Sequence, residues 1–234
     1  NSETDFVARN ADFQKAAAVF VKLALEAKDH DALLATKAGD ATVQDTVTHL
    51  IATIGENITL RRSAKLSVSQ GAVVAYVHGT VADNVGRIGV LVALESGADK
   101  AALEAIGRKG AQHIAATSPL ALTEGDVPAD RVEKEKSILL EQLKEDPKAQ
   151  GKPQQVLDKM IEGRMRKFFE ESVLLKQAFV HNPDQTVEAA IKDAEKAVGA
   201  PIKLKGFVRF AVGEGVEKKK DDFAAEVAAM QSKA

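Results

Sequence analysis

The stretch ITLRRSAKLSVSQGAVVAYVHGTVADNVGRIGVLVALE, residues 58–95, decides the fold class because its hydrophobic pattern repeats every two residues. In its first part, residues 58–68, apolar and polar side chains alternate, which predicts a half-buried strand. Val-rich segments at residues 72–78 and 88–95 predict two further strands. Three neighbouring strands joined by short connections predict an antiparallel sheet.

On both sides of this stretch the apolar residues recur three and four positions apart, which is the helical period. Asp12 is expected to cap the first helix, and Thr42 and Gly55 to begin and end the second. The predicted helices cover residues 13–25, 43–54, 100–116 and 186–198, and a strand follows at residues 203–212. Helices segregated around antiparallel strands predict an α+β fold.

Two further helical segments, residues 131–144 and 154–171, are highly charged and carry only a narrow apolar stripe. The short loop at residues 147–153 between them predicts an antiparallel helical hairpin of the coiled-coil kind. The helix at residues 42–54 leads into a predicted strand, as does the helix at residues 186–198. This faint repeat is compatible with two related core subdomains.

Composition narrows the function classes. The 234 residues contain no Cys, which excludes disulfides and thiolate metal sites, and the net charge of −2 does not favour nucleic-acid binding. Apolar runs fall short of the roughly 18 residues of a membrane helix, so a cytoplasmic location is the default expectation. The chain begins without Met, which is compatible with a fragment or with a removed or disordered front.

Catalytic motifs are absent from the sequence. The patterns of nucleotide-binding loops, zinc proteases and serine hydrolases do not occur. The five His are scattered singly and are interpreted as surface residues or as structural residues with satisfied hydrogen bonds. We therefore expect no enzyme activity, no cofactor and no metal site.

Two segments have a functional interpretation beside a structural one. In the segment Thr4, Asp5, Phe6, Val7, the aromatic ring either packs onto the following helix as a staple or is displayed as a wedge for a partner. The segment 221–232 predicts a short terminal helix with Phe223, Val227 and Met230 on one side. That apolar side docks either on the protein's own core or on a partner.

The opening NSETDFVARN and several later motifs form an ordered set along the whole chain. The later motifs are IGENI followed by RR at 54–62, HG at 78–79, GRIGVLV at 86–92, GKP at 151–153, EGRM at 162–165, FVRF at 207–210, VGEG at 212–215 and DFAAEV at 222–227. Together they resemble bacterial translation elongation factor Ts, and the opening is similar to the central signature of that family, with Ser2 where Cys is usual. The family's N-terminal helical domain would precede residue 1.

The resemblance implies a four-part organisation. The expected parts are an N-terminal core subdomain (1–68), a C-terminal core subdomain (69–122 and 175–213), an inserted hairpin or dimerisation region (123–174) and a C-terminal helical module (214–234). The hairpin could pair with a second copy to give a homodimer, with another chain, or with nothing.

The resemblance also implies a partner, elongation factor Tu, and a function, guanine nucleotide exchange on it. Asp5 and Phe6 would enter the partner's nucleotide domain near its magnesium and phosphate site. The other implied contact residues are Thr4, Val7, Ile54, Gly55, Glu56, Asn57, His78, Phe223, Val227 and Met230. No membrane and no direct nucleic-acid contact are expected. The alternative function is a non-catalytic scaffold or chaperone-like protein that binds through the hairpin and the terminal helix.

Overall fold

A computed structural model describes residues 2 and 4 and the ranges 6–147 and 149–215. Its helices are α1 (Ala11–Glu26), α2 (His30–Ala35), α3 (Val43–Ile54), α4 (Lys100–Thr117), α5 (Ala129–Glu145), α6 (Gln154–Ser172) and α7 (Val187–Val198). Its strands are β1 (Lys37–Ala38), β2 (Ala41–Thr42), β3 (Gly71–Ala82), β4 (Val85–Glu95), β5 (Ala178–Phe179), β6 (Asn182–Thr186) and β7 (Lys203–Ala211). The helices and antiparallel strands confirm the predicted α+β class.

The main sheet has the strand order β3-β4-β7, and both pairings are antiparallel. The predicted strands at 72–78 and 88–95 are β3 and β4, which extend further than predicted toward a tight turn containing Asn84 in the left-handed region (φ 57°). The third strand of the sheet is β7, far along the chain. The sequence predicts the helices correctly, but it assigns the third strand of this sheet to residues 58–68 instead of β7.

The prediction of a strand at residues 58–68 is wrong. Within the described ranges, its pairing is limited to an isolated antiparallel bridge between Ser2 and Ile58. Ile58 is buried beneath α1 and α3, but Ala64, which the alternation places on the inner face, is exposed. The apolar alternation therefore reflects contact with helices in the first part of the segment. It does not make a strand, because a strand also needs a hydrogen-bonded neighbour along its edge.

Side-chain contacts hold this segment in place instead. Lys65 Nζ donates to the carbonyl oxygen of Leu25 at 2.9 Å, near the C-terminus of α1. Arg61 donates to the carbonyl oxygen of Gly215 at 2.9 Å and to that of Glu214. The segment is thus tied to the first helix and to the chain that follows β7.

The larger hydrophobic core lies between the sheet and helices α4 and α7. The approach of α4 to β3 is very close at Gly107, where a Cβ atom would lie 2.5 Å from Cγ2 of Val74. Only glycine fits there without a shift of the helix or the strand. Leu103 and Ile114 of the same helix are fully buried in this core.

A smaller core joins helices α1, α2 and α3, and Val7, Leu33 and Val43 are at its centre. Beside it runs an apolar groove of about 580 Å³, which is bounded by Phe13 and Phe20 of α1 and by the outer face of the sheet. Helix α4 therefore packs directly on the sheet, whereas this groove separates α1 from it.

The helix caps agree with the sequence at two of the three expected points. Thr42 caps α3 through a hydrogen bond to Asp45 N, and Gly55 ends that helix in the left-handed region (φ 80°). Helix α4 ends at Thr117, one residue beyond the predicted end, with Ser118 in the left-handed region directly before Pro119. The prediction of Asp12 as the first cap is wrong, because the side chain of Asn10 accepts from the backbone N–H groups of residues 12 and 13.

The faint repeat of the sequence is confirmed for its two helices but not for its two strands, because residues 58–68 form no strand whereas β7 follows α7. We define the first unit as residues 30–55 and the second unit as residues 174–199. Each has a short helical turn, a two-stranded hairpin, a Thr cap, a 12-residue helix and a left-handed Gly. The backbone N–H of Val43 donates to Thr36 O at 2.9 Å, and that of Val187 donates to Gln177 O at 3.0 Å.

Helices α5 and α6 form an antiparallel hairpin. Val132, early in α5, packs with Phe168 and Phe169 near the end of α6, and Leu143, late in α5, packs with Ile161. The hairpin is confirmed, whereas coiled-coil packing and the four-part domain division stay predictions. Most of the predicted C-terminal module and the helix at 221–232 lie outside the described residues.

Candidate partner-binding site

The segment before α1 is fixed to the loop after α3. Thr4 donates its backbone N–H to Glu56 Oε2 at 3.0 Å and its hydroxyl to Glu56 Oε1 at 2.6 Å. The hydroxyl of Ser2 donates to the carbonyl oxygen of Thr4 at 3.1 Å, and Ser2 also bridges to Ile58. Two of the candidate regions, residues 4–7 and 54–57, are therefore adjacent in space.

Phe6 is displayed on this fixed segment. It precedes the 3₁₀ turn Val7–Arg9, in which Arg9 N–H donates to Phe6 O at 3.0 Å. The next residue, Val7, is 1% exposed in the smaller core, whereas Phe6 is 78% exposed. The staple interpretation required Phe6 to pack onto the helix, and this exposure contradicts it.

The loop after α3 owes its direction to Gly55. The left-handed conformation of this residue turns the chain away from the helix axis, which places Glu56 opposite Thr4. Ile54 is partly buried against the smaller core, while Gly55 and Asn57 are exposed. The candidate residues of this loop thus divide into one that packs inside and two that face outward.

His78 lies on β3 in the larger sheet. Its side chain is exposed, and its Nδ1 lies 3.1 Å from the hydroxyl of Tyr76, whose ring packs against the larger core. The 3₁₀ turn Val7–Arg9 contacts β3, so the strand that carries His78 passes beside the Phe6 segment. The described candidates therefore lie on adjacent elements.

Sequence reasoning missed an ion-pair cluster next to this region. Glu214 lies 3.3 Å from Arg62 and 3.0 Å from Arg209. The guanidinium group of Arg62 also stacks 4.4 Å above the ring of Phe210, a cation–π contact. Arg62 and Glu214 stand in motifs that carry the resemblance, but their separation in sequence gave no sign that they pair.

Four of the predicted contact residues are not among those that the structure describes. Asp5, Phe223, Val227 and Met230 lie outside the described residues. Across the described ranges, no three His, Asp or Glu side chains group closely enough to hold a metal ion. In the same part of the chain, no helix is both long and apolar enough to cross a membrane.

Comparison with known proteins is consistent along the chain. The family model described as Elongation factor TS matches residues 3–214. Elongation factor Ts of Caulobacter vibrioides is 56% identical over 236 residues, covering 100% of this chain and 74% of the relative. The Bartonella tribocorum protein of that name is 55% identical, covering 98% and 74%, and the Mesorhizobium japonicum one is 54% identical, covering 100% and 76%.

Proposed function

The chain belongs to the elongation factor Ts family, and on that premise we propose that it is a guanine nucleotide exchange factor that expels GDP from elongation factor Tu. Membership makes it a translation elongation factor. Its expected location is the cytoplasm, where bacterial translation takes place. We expect it to act as a binding protein that alters its partner, without chemical catalysis by its own side chains.

The observation that supports this proposal is the exposure of Phe6 beside a buried anchor. Val7 and the Thr4–Glu56 hydrogen bonds fix the backbone on both sides, so the backbone that carries Phe6 loses little freedom when the ring enters a partner. Large aromatic side chains presented in this way are frequent hot spots of interfaces. Phe6 is proposed to enter the partner's nucleotide domain, and Asp5 to perturb polar contacts there.

The proposed mechanism is thermodynamic coupling. A GTPase holds GDP through backbone amides and a magnesium ion that demands near-octahedral geometry, so small displacements at that site weaken nucleotide binding. If the factor lowers the affinity for GDP, GDP lowers the affinity for the factor by the same ratio. Excess GTP then completes the exchange, because the factor need not distinguish the two nucleotides.

The remaining contacts are assigned by the same proposal. Gly55, Glu56 and Asn57 would lie against the partner beside Phe6, with Ile54 supporting them from inside. His78 would face another domain of the partner. Phe223, Val227 and Met230 are proposed to dock on the nucleotide domain, and the hairpin is available for pairing with a second copy.

The decisive variant is Phe6→Ala. Loss of a hot-spot side chain costs at least about 2 kcal/mol, so stimulated release of labelled GDP should slow roughly thirtyfold. The thermal unfolding temperature should stay unchanged, since truncating an exposed side chain shifts the free energy of unfolding by less than about 0.5 kcal/mol. Val19→Ala, which truncates an exposed apolar residue on α1, should exchange at the parental rate.

Two outcomes contradict different parts of the proposal. Parental exchange by Phe6→Ala would remove the wedge role and leave the exchange function standing. If the parental chain binds elongation factor Tu without accelerating GDP release, the exchange function itself is wrong and the scaffold alternative replaces it.

A further inference from the structure

A buried histidine sits where the helical hairpin leaves the body of the protein. His113 of α4 is fully buried, and both of its ring nitrogens have partners. The backbone N–H of Val180 donates to Nδ1 at 3.2 Å, so the ring proton must be on Nε2, which lies 2.9 Å from Oε1 of Gln177. This arrangement requires the neutral ring in one tautomer.

Gln177 extends the contact to the hairpin. Its Oε1 also accepts from the hydroxyl of Thr117 at 3.0 Å, and its Nε2 donates at 2.7 Å to the carbonyl oxygen of Glu171. That carbonyl is in the last turn of α6, where helix carbonyls have no partner within the helix. One side chain thus bonds both α4 and the end of the second hairpin helix.

The backbone at the hairpin base is paired at the same place. Leu120 N–H donates to Ser172 O at 2.8 Å, and Leu174 N–H donates to Ala121 O at 2.9 Å. These bonds hold the two ends of the hairpin together. An apolar cluster of Ala121, Val127 and Val173 packs against Phe168 and Phe169 at the same base, and the side-chain contacts of Gln177 and His113 add a direct link from the end of α6 to α4.

The charged groups around this site are few and mostly paired. His181 lies beyond Phe179, whose ring is 5.6 Å from that of His113 and 5.2 Å from that of His181. Lys176 pairs with Glu124, Glu171 pairs with Lys167, and Lys109 is exposed one turn earlier on α4. No carboxylate of these elements bonds His113, so a charged ring would be uncompensated.

We propose that His113 and Gln177 form a pH-sensitive joint that fixes the direction of the hairpin, residues 129–172, on the body of the protein. A proton added at Nδ1 would face the N–H of Val180, turning a hydrogen bond into a donor–donor repulsion. Turning the ring to relieve this repulsion moves Nε2 away from Gln177, whose Oε1 then keeps only the hydroxyl of Thr117 as a partner, so its hold on Glu171 weakens. The hairpin keeps its backbone pairing at the base but gains freedom to swing.

The sign of the pH effect follows from burial. Burial lowers the pKa of His113 below its ordinary 6.5, the hydrogen bond to Gln177 opposes this, and repulsion by His181 adds to the lowering. The folded arrangement therefore favours the neutral ring. The stability that this preference contributes is fully present above about pH 6.5 and is lost as the pH falls toward the folded pKa. The joint is closed at neutral pH and opens in acid.

Distances between spin labels test the joint in the full chain. The sequence has no Cys, so cysteines introduced at Gln155 in the hairpin and at Arg108 on α4, both exposed, are the sole attachment points. Between about pH 7.5 and about pH 5, where a histidine changes charge, the distance distribution should broaden at least twofold. His113→Gln keeps a neutral donor toward Gln177 and should stay narrow at both values, whereas Gln177→Ala should be broad at both.

A second measurement, the titration of His113 itself, shows whether protonation of the ring causes the broadening. NMR titration of His113 in the same range should coincide with the broadening. Titration without broadening, or no titration while the protein stays folded, overturns the proposal, as does an undiminished pH response in His113→Gln. If circular dichroism shows that His113→Gln is unfolded, Gln177→Ala decides, because a narrow distribution at neutral pH in that variant overturns the joint.

Discussion

The first and second units have the same local design and different surroundings. Both begin with a helical turn that carries a buried leucine, both cap a 12-residue helix with Thr, and both end it with a left-handed Gly. After Gly199 the chain enters the sheet as β7, whereas after Gly55 it runs along helices without a strand. Local interactions therefore determine a helix and its ends, but a strand forms only where a neighbouring edge is available.

The largest expected effect tests whether the buried leucines of the two units contribute equally to stability. Leu33 and Leu174 occupy equivalent positions in the two units. Each lies three residues before the residue whose carbonyl oxygen accepts from the first N–H of the unit's 12-residue helix, and each is 1% exposed. Leu33→Ala and Leu174→Ala should each lower the free energy of unfolding by about 2–5 kcal/mol, through lost burial and a new cavity. Urea denaturation measures both.

The control for this pair is Leu25→Ala. Leu25 is exposed on α1, and its truncation should change the free energy of unfolding by no more than about 0.5 kcal/mol. If one of the two buried leucines behaves like this control while the other costs several kcal/mol, the correspondence between the units is wrong.

A middle-sized effect compares the helices that pack beside the two units, α1 beside the first and α4 beside the second. Gly107→Ala would place a Cβ 2.5 Å from Val74, so we expect a loss of about 1–3 kcal/mol in spite of the better helix propensity of Ala. Ala17→Leu on α1 points into the groove of about 580 Å³ and should be tolerated within about 0.5 kcal/mol. Thermal unfolding of the two variants compares a packed helix face with an open one.

Gly110→Ala is the matched control in α4. No heavy atom lies within 4 Å of its added Cβ, so the variant should gain up to about 1 kcal/mol from helix propensity alone. A loss in Gly110→Ala as large as that in Gly107→Ala would show that the steric argument at Val74 is not the cause.

The smallest expected effect compares the caps. Thr42 takes part in a reciprocal box with Asp45, whereas Thr186 accepts a single hydrogen bond, from Ala189 N at 3.2 Å. Thr42→Ala should cost about 1–2 kcal/mol and Thr186→Ala about 0.5–1 kcal/mol. Serine at either position keeps the hydroxyl and should restore most of the loss. Equal losses at the two caps would mean that the reciprocal bond of Asp45 contributes nothing measurable.

The sequence predicted what short-range chemistry determines. Thr42 and Gly55 marked the ends of α3 because capping depends on residues within one turn. Asn10 was overlooked in favour of Asp12, since both are good caps and only the backbone geometry distinguishes them. The segment 58–68 was misassigned because alternation indicates which side chains are buried and does not indicate whether a neighbouring strand exists.

For the candidate site, the sequence predicted which segments take part but not the contacts that join them. The segment 4–7 stood out as an acid and an aromatic before a helix, and the resemblance placed residues 54–57 beside it. The hydrogen bonds from Thr4 to Glu56 span 52 positions, and those from Arg61 to residues 214 and 215 span more than 150. Contacts at such separations depend on the folded topology, and residue patterns alone do not reveal them.

The hydrogen bond between Tyr76 and His78 gives the molecule an optical property. The chain contains one Tyr and no Trp, so its tyrosine fluorescence originates at a single point of β3. That phenol touches the one candidate contact residue of the sheet. Any event that displaces the imidazole ring should change the emission of this single tyrosine, which makes the unlabelled protein its own reporter of what happens at that strand.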